Sequence, residues 1–188
     1  KKGEESMDTK QRILLEALRL FSKRGYDAVS VEQIASAVGI KAPSLYKHYK
    51  SKKDIFDAIF EDTAKRYEEF IQTISIPVTD SKQDVVVFEN ITAEDLVQKV
   101  KSLIEYSLHD EYISKFRKMM TIEQFRSPEL SKLYSDRYVN QIQNYHTDLF
   151  TKMIEAGVLK KEDPCILAMV YDAPILVMLS ECDRHPEK

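Results

Sequence analysis

Apolar positions recur at intervals of three and four along nearly the whole chain, and the runs are separated by residues that stop helices. Ile13, Ala17, Leu20 and Phe21 set the first stripe, with Gly25 just past its last turn, which predicts a helix over 8–24. Ser30 with Gln33 has the spacing of a capping box, and Val31, Ile34, Ala35 and Val38 carry the next stripe to Gly39. That is a helix over 31–38. Pro43 suits a first helical turn, and Leu45 and Tyr49 form an i, i+4 pair, which predicts a third helix over 42–49. Ser51 with Asp54 then opens a long helix through Ile55, Phe56, Ile59, Phe60, Tyr67, Phe70, Ile71 and Ile74, ended by Pro77.

The pattern weakens over 77–91. Its Val85–Phe88 run has strand propensity but no partner run elsewhere, so the segment is expected to be an irregular connector. Helical spacing resumes after Thr92 and Asp95, predicting helices over 93–108 and 111–126 with a break near His109–Asp110. Ser127-Pro128-Glu129 and Asp163-Pro164 each place a proline just inside a helix start. They predict a helix from 128 to Gly157 and a last one over 164–183. The fold class is all-α.

Composition narrows the function. No run reaches the roughly 18 consecutive apolar residues of a membrane span, because AMVYDAPILVML is short and interrupted by Asp172, so no membrane partner is expected. The first residues lack the apolar core of a signal peptide. Cys165 and Cys182 lie in one predicted helix, about 25 Å apart along its axis, and read as reduced thiols. These points indicate the cytoplasm. Three of the four glycines end helices and the fourth is in the tail, leaving none to cradle a phosphate. His109 and His146 have no metal-ligating neighbour one turn away, and no nucleophile–base spacing suggests an enzyme. No cofactor is expected.

Charge changes the picture more. Residues 1–60 hold 12 Lys+Arg against 8 Asp+Glu, whereas 61–188 hold 16 against 23. Lys41, Lys47, Lys50, Lys52 and Lys53 fall within 41–53 without one acid. Two helices this short gain stability only by packing crosswise on each other and on the helix before them. That is helix-turn-helix geometry, which holds the second helix proud of the surface for a DNA major groove. Leu45 and Tyr49 are expected to face inward, leaving Ser44, Lys47 and His48 outward. The lysines form a phosphate-neutralising surface, each one engaged steepening the log–log salt dependence by roughly 0.9.

The order Ser30-x-x-x-Ile34-Ala35-x-x-x-Gly39-Ile40-x-x-x-Ser44-Leu45-Tyr46-x-His48-Tyr49-x-Ser51-Lys52-x-x-Ile55 resembles the DNA-binding domain of the tetracycline-repressor (TetR-like) family of bacterial regulators. The match is dense over 8–57. The resemblance implies a tail (1–7), a helix-turn-helix DNA-binding domain (8–53), and a helical ligand-binding and dimerisation domain (54–188). It also implies a homodimer, a near-palindromic double-stranded operator and a small-molecule inducer. Carried over by position, Ser30, Tyr46, His48 and Lys52 would contact phosphate, Ser44 and Lys47 would lie at or near base edges, and Lys41, Ala42 and Pro43 would form the helix entry. Lys41 and Pro43 depart from the small polar residue and the glycine common in the family, and the proline removes a backbone donor.

The predicted last helix is apolar around nearly its whole circumference, from Ile166 to Cys182, so it must be buried on more than one side, and a two-fold pairing of chains is the economical explanation. Tyr106, Phe116, Met119, Met120, Phe125, Tyr138, Tyr145, Met169 and Tyr171 are candidates to line a ligand cavity, being flexible methionines and aromatics. A competing reading makes the chain a helical protein-interaction module whose lysines only solubilise it. Sequence-preferring, salt-sensitive DNA binding separates the two.

Overall fold

The computed structural model describes residues 7–75, 81–126 and 128–185, and helices are the only regular elements among them. α1 (Thr9–Arg24) buries Ile13, Leu14, Ala17, Leu18, Leu20 and Phe21 and ends at Gly25, whose φ of 81° favours glycine. α2 (Val31–Val38) starts at the expected capping box. Ser30 Oγ accepts from the Gln33 N–H at 3.3 Å, and Gln33 Oε1 accepts from the Ser30 N–H at 3.0 Å. Gly39, in the left-handed region, ends it. α3 is shorter than expected: the α-helix covers Ala42–Leu45, and Tyr46 to His48 continue as a tightened turn. Its bonds, Lys47 N–H to Ser44 at 3.3 Å and His48 N–H to Leu45 at 2.9 Å, are the i, i+3 contacts of a fraying helix end.

α4 (Lys52–Ile74) is capped by Ser51 Oγ, which accepts from the Asp54 N–H at 3.0 Å. Ser75, at φ 50°, closes it, while the expected stop at Pro77 lies outside the described residues. The expectation of an irregular segment over 77–91 is overturned for its described part. α5 (Ser81–Asn90) is a helix laid against α9, fixed by a hydrogen bond at 2.6 Å from the Tyr145 hydroxyl to the buried Asp84 carboxylate. A lone strand leaves its backbone groups unpaired, whereas a helix pairs them internally. α6 (Ala93–His109) and α7 (Glu111–Glu123) meet at Asp110, whose Oδ1 accepts from the N–H groups of Tyr112 and Ile113 at 3.0 and 2.9 Å. The helix expected from 128 to 157 runs as α8 (Pro128–Ser135), a π-helical turn (Asp136–Asn140) and α9 (Gln141–Glu155). Ser127 lies outside the described residues. α10 (Pro164–Arg184) follows its Asp163 cap and continues through Pro174.

One core joins the first four helices to α7. Phe21, Ile34, Leu45, Ile55 and Ile59 share it with Phe116, Met119 and Met120. Aromatic rings run through it from Tyr26 to Phe56 (5.0 Å between centroids), on to Phe60 (5.2 Å) and across to Phe116 (4.9 Å). The core of the first three helices, the head, therefore continues through α4 into α7 of the helical body.

α10 packs on α9 and touches α6, but Ile166, Val170 and Val177 are each at least 60% exposed. At 21 residues it is also long and apolar enough to cross a membrane, so shortness does not exclude a span as the sequence suggested. On its inner face Asp172 is buried, with Oδ1 2.7 Å from His146 Nδ1 of α9.

Candidate nucleic-acid interface

α1 and α2 form the brace. Arg12 of α1 donates from Nη2 to the Val38 carbonyl at 2.5 Å, placing a cation where α2 has unsatisfied carbonyls. Nothing in the sequence marked this residue, because an arginine on an amphipathic helix reads as solvated face. Leu45, at the end of α3, is fully buried and Tyr49, just past the turn that follows it, nearly so, with the Tyr49 hydroxyl 3.5 Å from the Lys10 carbonyl. Burial pushes the Tyr49 phenol up to about 12. These two side chains fix the roll of the element, as the i, i+4 spacing indicated.

The opposite edge faces outward. Lys41, Pro43, Tyr46, Lys47 and His48 are exposed, and Ala42 and Ser44 are half-buried beside them. Ser30 is also exposed; its Oγ accepts the capping bond, and its hydroxyl lies within hydrogen-bond reach of the Glu32 carboxylate, whose pKa is lowered by its own backbone N–H and by this hydroxyl. Each residue of the expected set is thus exposed or half-buried, and one of them, Lys52, is engaged by the protein itself. Lys52 donates from Nζ to the carbonyls of Tyr26 and Val29 at 2.8 and 2.9 Å and lies 4.1 Å from the centre of the Tyr26 ring. It fastens the α1–α2 turn. Lys53 is paired with Asp57 at 2.8 Å, and that hydrogen bond raises its pKa. Among the described residues, Lys41, Lys47 and Lys50 are the outward cations of the 41–53 run that are in no ion pair.

The candidate ligand residues do not converge. Phe116, Met119 and Met120 are sealed in the shared core, and Phe125 is 87% exposed on the turn after α7. Tyr106 stacks on Phe70 at 3.9 Å and donates to the Arg66 carbonyl at 3.3 Å. Tyr145 holds Asp84, and Met169 and Tyr171 are exposed on α10. Tyr138 sits in the π-helical turn, and its side chain lies outside the described residues. The cause is general: methionine and aromatic spacing marks the apolar side of a helix, not what that side meets. Tyr171 does line an open apolar groove between α9 and α10, with Phe150, Leu159, Leu167 and Val170. Among the described residues no cluster of His, Cys, Asp and Glu is arranged to hold a metal.

Residues 13–59 match the model of the bacterial regulatory proteins of the tetR family. The chain is 43% identical over 61 residues to the HTH-type transcriptional regulator AcrR of Shigella flexneri, a match covering 32% of this chain and 28% of that protein. It is 27% identical over 161 residues to IcaR of Staphylococcus aureus, the HTH-type negative transcriptional regulator of the biofilm operon icaADBC, covering 80% of this chain and 83% of IcaR. SmeT, repressor of the Stenotrophomonas maltophilia multidrug efflux pump SmeDEF, shares the fold with a TM-score of 0.63 over 98% of this chain and 83% of SmeT, at 23% identity.

Proposed function

Because this chain is a TetR-like family protein, a ligand-responsive DNA-binding regulator of transcription, we infer that it acts as a repressor reading a near-palindromic operator as a homodimer. The observation that carries this reading is the two-sidedness of α3 and the turn after it: Leu45 and Tyr49 are buried, while Lys47 and His48 are exposed. Lys47 and Ser44 are assigned to base edges, and Ser30, Tyr46 and His48 to phosphates, with Lys41, Ala42 and Pro43 shaping the entry. Lys52 acts on DNA through the α1–α2 turn that it holds. The second half-site is read by a second chain paired through the exposed side of α10. The chain works in the cytoplasm, where operator and inducer meet.

The inducer is assigned to the helical body, at the open groove between α9 and α10 that Tyr171 lines. It favours a conformation whose reading heads no longer match the half-site separation, limited by its differential affinity for the two states. α4 carries the change, since it runs from the head directly into the body. Selection of bound sequences from a random duplex pool at physiological salt tests the reading. Two-fold symmetric winners are expected; a pool without sequence preference would overturn it.

A further inference from the structure

Glu123, the last residue of α7, is 1% exposed, yet it lies at the border between body and head. Its Oε1 accepts the backbone N–H of Tyr26 at 2.7 Å, across 97 residues of chain. Arg126 stands 3.5 Å from the same oxygen. Tyr26 is in the turn between α1 and α2, the same turn whose two carbonyls Lys52 holds from the other side. The approach is close at Gly25 too: a Cβ there would lie 2.8 Å from Glu123 Oε1 and 2.4 Å from Arg126 Nη1. Glycine is thus required at 25 by its φ and by the carboxylate behind it. Seven residues earlier on α7, Phe116 closes the aromatic series from the head. α7 therefore grips the head at an apolar point and at a directional polar one.

We propose that Glu123 is a positioning residue for DNA recognition, its carboxylate oxygen fixing the α1–α2 turn and so the angle at which α3 is presented. Apolar contact is non-directional, whereas a buried hydrogen bond to one backbone N–H has one register. In a dimer, that angle sets the distance between two reading elements, so Glu123 governs the tolerated half-site separation. The inference rests on the dimeric operator reading above and adds its regulation.

The test compares operators whose half-sites are separated by the selected distance and by one base pair more or less, for the full chain and for Glu123→Gln and Glu123→Asp. Glutamine keeps an oxygen at the same reach, so its preference for the selected spacing should stay within about twofold of the parent's. Aspartate keeps the charge but is one methylene short of Tyr26, so its preference should fall roughly tenfold. A fold defect alone lowers every operator alike and leaves the ratio unchanged. Retention by aspartate, or equal loss in both variants, overturns the proposal. If the parent itself shows no preferred spacing, the dimeric operator reading fails, and that result is distinguishable from the variants' behaviour. A measurement without variants guards against misfolding: the Tyr26 amide should be protected from hydrogen exchange, and free-loop exchange there would refute its bond to Glu123.

Discussion

Arg117 and Asp183 form a two-pronged ion pair, Nε to Oδ2 at 2.6 Å and Nη2 to Oδ1 at 2.7 Å, with side chains only 11% and 13% exposed. The third guanidinium nitrogen donates to the Ser107 carbonyl at 2.5 Å. One residue of α7 thereby ties the end of α10 to α6. A fork of fixed donors suits this geometry, and a lysine could not reproduce it.

Breaking such a pair leaves a charge with little water to replace its partner. Asp183→Ala should destabilise the chain by about 3 kcal/mol, since removing one member of a buried pair costs several times what an exposed one does. Replacing both by apolar residues of similar volume should restore part of that loss. Urea unfolding of the two variants checks the order; equal stability of parent and Asp183→Ala would show the pair to be inconsequential.

The two lysines first assigned to DNA should separate by experiment. Lys47→Ala removes an outward side chain and should alter base preference at one position by about 1–3 kcal/mol, leaving stability unchanged. Lys52→Ala removes two charge-assisted bonds to the α1–α2 turn, so it should lower stability by about 2 kcal/mol. Because Lys52 is not counted as a phosphate contact, the salt slope should persist in Lys52→Ala. A decrease of roughly 0.9 in that slope would return Lys52 to the DNA surface.

Local signals were legible because local physics decides them. The Ser30–Gln33 box, the Ser51, Thr92 and Asp163 caps and the Gly25 and Gly39 stops involve residues a few positions apart, and the structure has each of them. So was the roll of α3, which follows from the burial of Leu45 and Tyr49 alone. α5 was missed because its deciding bond joins Asp84 to Tyr145, 61 residues away. Glu123 and Arg117 escaped for the same reason: on an amphipathic helix an acid or arginine reads as surface until its distant partner is seen. The ligand set failed to converge because periodicity identifies a buried face without its neighbour, so core methionines such as Met119 and Met120 look like cavity lining.

Alkaline pH should weaken the fold early. Desolvation raises the phenols of Tyr67, Tyr112 and Tyr145, and takes Tyr49 and Tyr106 up to about 12. Their ordinary value is about 10. Below that pH both folded and unfolded chains keep the proton, so the contribution to stability is constant. Above it the unfolded chain releases protons first, and stability falls as pH rises through the interval toward the folded values. The urea midpoint should therefore drop steeply between about pH 10 and 12. Tyr145→Phe should make that drop shallower while also leaving Asp84 without its hydroxyl donor; an unchanged pH slope would contradict the burial assigned to these phenols.

Pairing through α10 makes the most direct prediction. Val177 is 68% exposed on a helix that already satisfies its own body through α9, so a substitution there has no intramolecular packing to lose. Exposed substitutions of this kind change monomer stability by about 0.5 kcal/mol or less. In a two-fold interface, however, both chains use the same patch, so an acid is introduced twice into an apolar surface. Val177→Glu should leave the helix content of the chain intact while reducing its mass in light scattering from twice the chain mass to the chain mass, and its unfolding midpoint should lose the dependence on chain concentration that association gives the parent. Operator affinity should fall with it, by roughly 10²–10⁴-fold, because a single head loses the effective concentration that the second supplies. A Val177→Glu chain that stays dimeric and keeps its operator affinity would place the interface elsewhere, and the exposed side of α10 would then need a different occupant.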